Sequence, residues 1–283
     1  MKLKALIFDV DGTLADTEEA HRAAFNQAFT EQGLSWHWSR SLYKTLLKTT
    51  GGKERIAAHL NSLALPPAEA AALKTQIPEL HRRKTAIYTE LVAQGKAPLR
   101  NGVERLLDEA AAYDVTLGIA TTTSFENVRS LLETTLGPDS LRRFQYIGAG
   151  DAVAHKKPAS DVYELVLKHL GIPRDRCVAV EDSVNGLIAS RGAGLFTLAT
   201  PSYWTQDEDL SSADLLVPHL GSVTVPLPDD AASRIGRSVV GIPEIDACLT
   251  HAPWRAQAQA NAAGGHPCHP GCADHCRRTD GGR

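Results

Sequence analysis

Apolar residues gather in short runs, at residues 3–10, 115–121, 143–148, 177–180 and 195–199, each with the length of a buried strand. Between most of these runs the spacing changes to that of an amphipathic helix. Val103, Leu106, Leu107 and Ala110 share one face after Asn101, and Val128, Leu131 and Leu132 share another after Ser124. A third helix starts near Ser160 and is closed by Gly171 and Pro173. Strands alternating with helices predict an α/β fold with a parallel, doubly wound sheet.

One interval breaks the alternation. From residue 17 to about 95 only helical periodicity is present: Ala20, Ala24, Phe25, Ala28 and Phe29, then Leu42, Tyr43, Leu46 and Leu47, then Ile56, Leu60 and Leu63. Leu73, Ile77 and Leu80 continue it after the Pro66 and Pro67 start signal. The pattern predicts an all-helical insert (17–95) within a core formed by 1–16 and 96–227. Residues 228–283 mix Ala, Gly, Pro, His and Arg with little apolar periodicity, so a weakly ordered tail is expected.

The 283 residues, 43% of them hydrophobic, suffice for a full-sized core. Thirty Lys and Arg against 33 Asp and Glu leave a net charge of -3, without the basic bias of a nucleic-acid binder, so an anionic ligand must be caught by a local site. No apolar stretch approaches a membrane span, and the first strand begins too early to leave room for a leader, so the expected address is the cytoplasm. Of five cysteines only Cys177 precedes residue 248, which excludes a disulfide framework in the core. In the tail, Cys268, Cys272 and Cys276 alternate with His266, His269 and His275, but the spacing is not that of a structural zinc ribbon.

Four polar clusters lie at the carboxyl ends of predicted strands, the edge where open α/β sheets bind ligands. They are Asp9 and Asp11; Thr121, Thr122 and Ser124; Lys156 and Lys157; and Glu181 and Asp182. Carboxylates gathered there would repel one another without a cation, and hard oxygen ligands favour Mg²⁺. Mg²⁺ beside a lysine and hydroxyl donors describes a phosphoryl site. Ser124 also has a structural role as N-cap of the helix after it, and Lys156 reads as a solvated neighbour of Lys157.

The run DVDGT, Thr121 closing LGIAT, Lys157 in KKPASD and the acidic pair of VAVEDS resemble, in order, the four signature motifs of the haloacid dehalogenase superfamily. The resemblance implies a Rossmann-like core with a mobile helical cap. It makes Asp9 the nucleophile that takes the phosphoryl group and Asp11 the acid that protonates the leaving oxygen, then activates water. Asp11 would then have to be held protonated by its surroundings. Thr121 and Lys157 would bind the transferring oxygens, while Asp9, the Asp11 backbone carbonyl and Asp182 would hold Mg²⁺ with Glu181 close by.

The insert is loaded for anions. Gly51 and Gly52 precede Lys53, Glu54 and Arg55 at a predicted helix start, and His81, Arg82, Arg83 and Lys84 follow further on. Such a cap suits a second phosphate, with Glu18 accepting from sugar hydroxyls. Arg82 and Arg83 could equally form a wet helix face. His21 and Tyr43 are divided between packing and substrate roles, and Trp36 and Trp38 suit packing.

Together DVDGTLADTEEAHRAAFNQAF, TGGKERI, HRRKTAIYTELV and IATTTSFENV are similar to the CbbY family, across core and cap. That resemblance implies a phosphatase, expected to act as a monomer, that converts xylulose 1,5-bisphosphate, a Rubisco inhibitor, to xylulose 5-phosphate. A phosphomutase of the β-phosphoglucomutase type, a phosphatase for another sugar phosphate or phosphoglycolate, and a non-catalytic binding protein are the alternatives.

Overall fold

The computed structural model describes residues 1–150 and 152–251. Five strands form where the apolar runs predict them: β1 (Ala5–Phe8), β2 (Thr116–Ala120), β3 (Tyr146–Gly148), β4 (Cys177–Glu181) and β5 (Phe196–Ala199). A sixth, β6 (Leu215–Leu216), is two residues long and too short to register as an apolar run. All pair in parallel in the order β3-β2-β1-β4-β5-β6. The order reverses between β1 and β4, and such a switch point opens a crevice beyond the carboxyl ends of the two strands. Phe8 lies opposite Val180 there. The Asp9 N–H donates to Val180 O at 3.0 Å, so the residues that follow both strands emerge side by side.

The regular structure of the insert is all helix: α1 (Glu18–Glu31), α2 (Arg40–Leu46), α3 (Gly52–Ser62) and α4 (Pro67–Ala93). Its apolar faces close on a cluster of Phe25, Phe29, Trp38, Tyr43, Ile56, Leu60 and Leu80. Trp36 and Trp38 serve packing, with ring centroids 5.3 and 4.9 Å from Phe29. Trp204, from the core loop after β5, enters the same cluster and meets the Tyr43 ring edge-on at 5.4 Å. The sheet is flanked by α5 (Val103–Ala112), α6 (Phe125–Leu136), α7 (Asp161–Leu170) and α8 (Val184–Gly192).

The expectation of weak order after residue 228 needs correction. Residues up to 251 form two helices, α9 (Asp229–Ile235) and α10 (Ile242–His251), and Ile242, Ile245 and Leu249 are fully buried. Their spacing is helical but spans only eight positions, and it is diluted by the Ala, Gly and His around it. Polar contacts fasten α10: Asp246 Oδ1 accepts from the Lys2 and Leu3 N–H groups at 2.6 and 2.7 Å, and Glu109 from the Ile242 N–H at 3.0 Å. The Cys268, Cys272 and Cys276 cluster lies outside the described residues. No described helix is long and apolar enough to cross a membrane.

Candidate active site

The loop after β1 turns sharply at Gly12, whose φ of +81° suits glycine; a Cβ there would also sit 2.2 Å from Asp182 Oδ2. This close approach brings the first and fourth predicted clusters together. Asp9, Glu181 and Asp182, all buried, each present a carboxylate oxygen within 4.8 Å of the others. Glu181 leans against the first turn of α8, where a Cβ on Gly186 would lie 1.9 Å from its Oε2.

One buried cation answers these charges. Lys157 Nζ donates to Asp9 Oδ1 at 2.7 Å and to Glu181 Oε1 at 2.6 Å, and the Tyr163 hydroxyl donates to the same Glu181 oxygen at 2.5 Å. Burial pushes the Asp9 carboxyl up to about 7, against the pull of Lys157 and with the Glu181 and Asp11 charges adding to it. Burial beside Asp9 and Glu181 raises Asp182 well above the usual range. Burial opposes the Lys157 charge, yet Asp9 and Glu181 hold its ammonium above its ordinary value. Three carboxylates that the protein under-neutralises, all with hard oxygen donors, fit a divalent cation of the Mg²⁺ kind.

Asp11 is set apart from that group. Its Oδ1 accepts from Thr17 Oγ1 at 2.6 Å and pairs with His21 Nε2 at 2.9 Å. His21 Nδ1 in turn meets Lys84 Nζ at 2.6 Å, and its ring stacks on Tyr88 at 3.9 Å. Burial opposes ionisation, but His21 and Thr17 together hold Asp11 well below the carboxylate range. The expectation of a protonated Asp11 is therefore reversed in this arrangement, because the carboxylate has a ring N–H and a hydroxyl to accept from. Burial pushes Lys84 down to about 7, and burial with the Lys84 charge lowers His21. Lys84 donating to Nδ1, and Nε2–H donating to Asp11, is the tautomer that satisfies all three groups.

A cavity of about 620 Å³ lies between core and insert. Its core wall includes Asp9, Asp11, Thr122, Ser124, Lys157 and Asp182, and its upper wall Glu18, Gly51, Gly52, Lys53, Arg55, His81 and Lys84. Three sequence-predicted residues are not in the lining. Glu181 is 1% exposed and held by Lys157 and Tyr163; Thr121 is 2% exposed, its hydroxyl accepting from the Thr123 N–H at 3.3 Å; Glu54 turns to the core and pairs with Lys156. Ser124 caps α6, its hydroxyl accepting from the Asn127 N–H at 3.3 Å, while still lining the cavity. Arg82, which also lines the cavity, pairs with Glu79, and Arg83 pairs with Glu31.

The upper wall contains a second hydrogen-bonded chain. Arg55 Nη1 donates to the Tyr43 hydroxyl at 3.0 Å, which donates to Glu18 Oε2 at 2.6 Å. Arg55 Nε is buried with no partner among the described residues, so a donor remains to be satisfied. Sequence reasoning left His21 and Tyr43 undecided and missed Trp204, Thr205 and Asn185. All but Tyr43 line the cavity, and Thr205 Oγ1 donates to Asp182 Oδ2 at 3.1 Å. Asn185 stands three residues past the acidic pair and Trp204 and Thr205 follow β5; as uncharged side chains they carry no motif of their own, so spacing gave no signal for them.

An acidic group, a buried lysine and a roofed cavity at a parallel-sheet switch point define a hydrolase of phosphoric monoesters. The chain belongs to the haloacid dehalogenase-like hydrolase family, whose model matches residues 3–194. Within it the chain is similar to proteins named CbbY. It is 50% identical over 222 residues to Protein CbbY of Rhodobacter capsulatus, covering 78% of this chain and 96% of that protein. With the plasmid CbbY of Cupriavidus necator it shares 46% identity over 226 residues, covering 80% and 89% of the two chains. Among solved structures, a mutant CbbY from Rhodobacter sphaeroides in complex with xylulose-(1,5)bisphosphate matches with a TM-score of 0.71 and 43% identity, covering 78% of this chain and 98% of that one.

Proposed function

We infer that the protein is a Mg²⁺-dependent sugar-bisphosphate phosphatase that removes the 1-phosphate of xylulose 1,5-bisphosphate and so relieves inhibition of Rubisco. The observation that carries the reading is the composition of one cavity: a lysine-bound acidic group on the floor, and Lys53, Arg55, His81 and Lys84 on the opposite wall. One phosphate suits each end. The bisphosphate held by the similar Rhodobacter sphaeroides protein supports this substrate.

In the proposed reaction, Asp9 attacks phosphorus, forming an aspartyl phosphate as the bond to the sugar oxygen breaks. Asp11 gives that oxygen a proton drawn from the His21–Lys84 pair, which stands one and two hydrogen bonds away. Water then attacks the same phosphorus while Asp11 takes its proton, and Asp9 is released. Lys157, with the Thr121–Thr122 segment, orients the phosphoryl oxygens. Asp9, Asp182 and the Asp11 carbonyl would hold Mg²⁺ with Glu181 close by, and the ion supplies neutralisation of the phosphoryl charge. Arg55, oriented by Tyr43, takes the distal phosphate, and Glu18 accepts from a sugar hydroxyl.

Phosphate release in the presence of Mg²⁺ from xylulose 1,5-bisphosphate, ribulose 1,5-bisphosphate, a hexose 1-phosphate and phosphoglycolate tests this reading. The expected ranking puts xylulose 1,5-bisphosphate first. Conversion of a hexose 1-phosphate to its 6-phosphate without net phosphate release would instead establish a mutase.

A further inference from the structure

Lys156 and Lys157 are consecutive, yet their ammonium groups serve opposite walls of the cavity. Lys157 reaches the Asp9 and Glu181 carboxylates. Lys156 Nζ pairs instead with Glu54 Oε1 of α3 at 2.8 Å. Glu54 stands between Lys53 and Arg55, which line the cavity, but is not itself in the lining. Its carboxylate folds over the helix start, where a Cβ on Gly51 would lie 2.1 Å from Glu54 Oε2 and 3.1 Å from Lys156 Cδ. The glycine therefore makes room for the pair. The Lys156 side chain is 15% exposed and that of Glu54 44%, so the contact is withdrawn from solvent on the lysine side only.

A second contact lies beside the first. Asn185, at the start of α8 and three residues after Asp182, donates to Lys48 O at 3.2 Å and to Thr50 Oγ1 at 3.1 Å. The anion-binding segment of the insert is thus tied to the core at two points, each within three residues of the phosphoryl site. Electrostatics make the ion pair more than a tether. Lys53 and Arg55 flank Glu54 on the upper wall, and an unopposed Lys156 would repel their charges and push the two walls apart. Glu54 supplies the opposing charge.

We propose that Glu54 and Lys156 form a positioning pair that sets the span between the distal anion site of the insert and the phosphoryl site of the core, and so selects sugar bisphosphates by length. The proposal rests on the bisphosphate reading given above. Neither residue takes part in the bond changes. The pair acts by holding Arg55 and Lys53 at a fixed distance from Lys157 and Asp9.

The test is a double-mutant cycle of Glu54→Gln and Lys156→Gln, read on xylulose 1,5-bisphosphate and on p-nitrophenyl phosphate, which has no second anion. Glu54→Gln should raise KM for the bisphosphate about five-fold, the effect of an ion pair worth about 1 kcal/mol. Its turnover of the aryl phosphate should stay unchanged. Adding Lys156→Gln to Glu54→Gln should cost less than Lys156→Gln does alone. Equal losses on both substrates, no loss on either, or strictly additive effects would overturn the proposal. Arg55→Ala, measured in parallel, separates the two failures. A bisphosphate-selective loss there with none in Glu54→Gln sinks the positioning pair only, whereas equal losses in Arg55→Ala on both substrates sink the distal anion site itself.

Discussion

His81 offers a quantitative handle on the cavity's upper wall. Burial, reinforced by the Lys84, Lys53 and Lys156 charges, pushes its imidazole down to about 4 from an ordinary 6.5, so it is neutral near pH 7. A phosphate group bound here would pair with an imidazolium, offsetting the burial that is the main cause of the shift, and would cancel the cations' field, so the imidazole returns toward its ordinary value. Between those two values the complex then carries a proton that the free protein lacks. Affinity therefore strengthens as pH falls through this window and is flat above it. At about 1.36 kcal/mol per unit, and allowing for partial titration at each end, the His81 contribution between pH 7 and pH 5 is about 2 kcal/mol, or roughly twenty-fold in Kd. Calorimetric titration of xylulose 1,5-bisphosphate into Asp9→Asn protein, which suppresses turnover, measures it. The same titration into Asp9→Asn/His81→Gln protein subtracts the phosphates' own ionisation near pH 6. The two proteins should differ in proton uptake by nearly one proton at pH 5.5. Identical pH slopes would refute both the buried neutral His81 and its place at an anion site.

Three further outcomes are expected. Ile245→Ala, at a fully buried position of α10, should cost about 2–5 kcal/mol in urea unfolding, and a loss below about 0.5 kcal/mol would mean that α10 does not belong to the folded unit. His21→Asn removes the ring that relays a proton to Asp11, so Asp11 must carry the proton itself and the basic limb of the kcat/KM profile should move to lower pH; an unmoved limb would separate His21 from the proton supply. Tyr43→Phe breaks the Arg55–Tyr43–Glu18 chain and should lower kcat/KM for the bisphosphate about ten-fold, as expected for buried partners left unsatisfied, while unchanged kinetics would remove the chain from substrate binding.

The sheet was legible because each long strand is buried on both faces and so appears as a continuous apolar run, and the insert because its helices keep one apolar face each. β6 and α10 escaped notice for the same reason: two residues of strand, or three apolar positions in a polar surrounding, are stabilised by neighbours far away in the chain. Asp246 is an example, since its partners are the N–H groups of Lys2 and Leu3 at the other end of the sequence. The acidic group and Lys157 were visible as strand-end clusters. The ionisation of Asp11 was not, because it depends on a Thr17–His21–Lys84 arrangement that only folding assembles. The placement of Glu54 was hidden for a related reason. Sequence puts it among cations that face the cavity, and only the geometry shows its carboxylate turned to Lys156.

The most direct measurement is acid quenching of the protein within its first turnover of xylulose 1,5-bisphosphate and Mg²⁺, followed by peptide mass mapping. The account predicts one phosphoryl group on Asp9, present in the wild type, accumulating in Asp11→Asn and absent in Asp9→Asn. A phosphoryl group on another residue, or rapid phosphate release by Asp9→Asn protein, would contradict it.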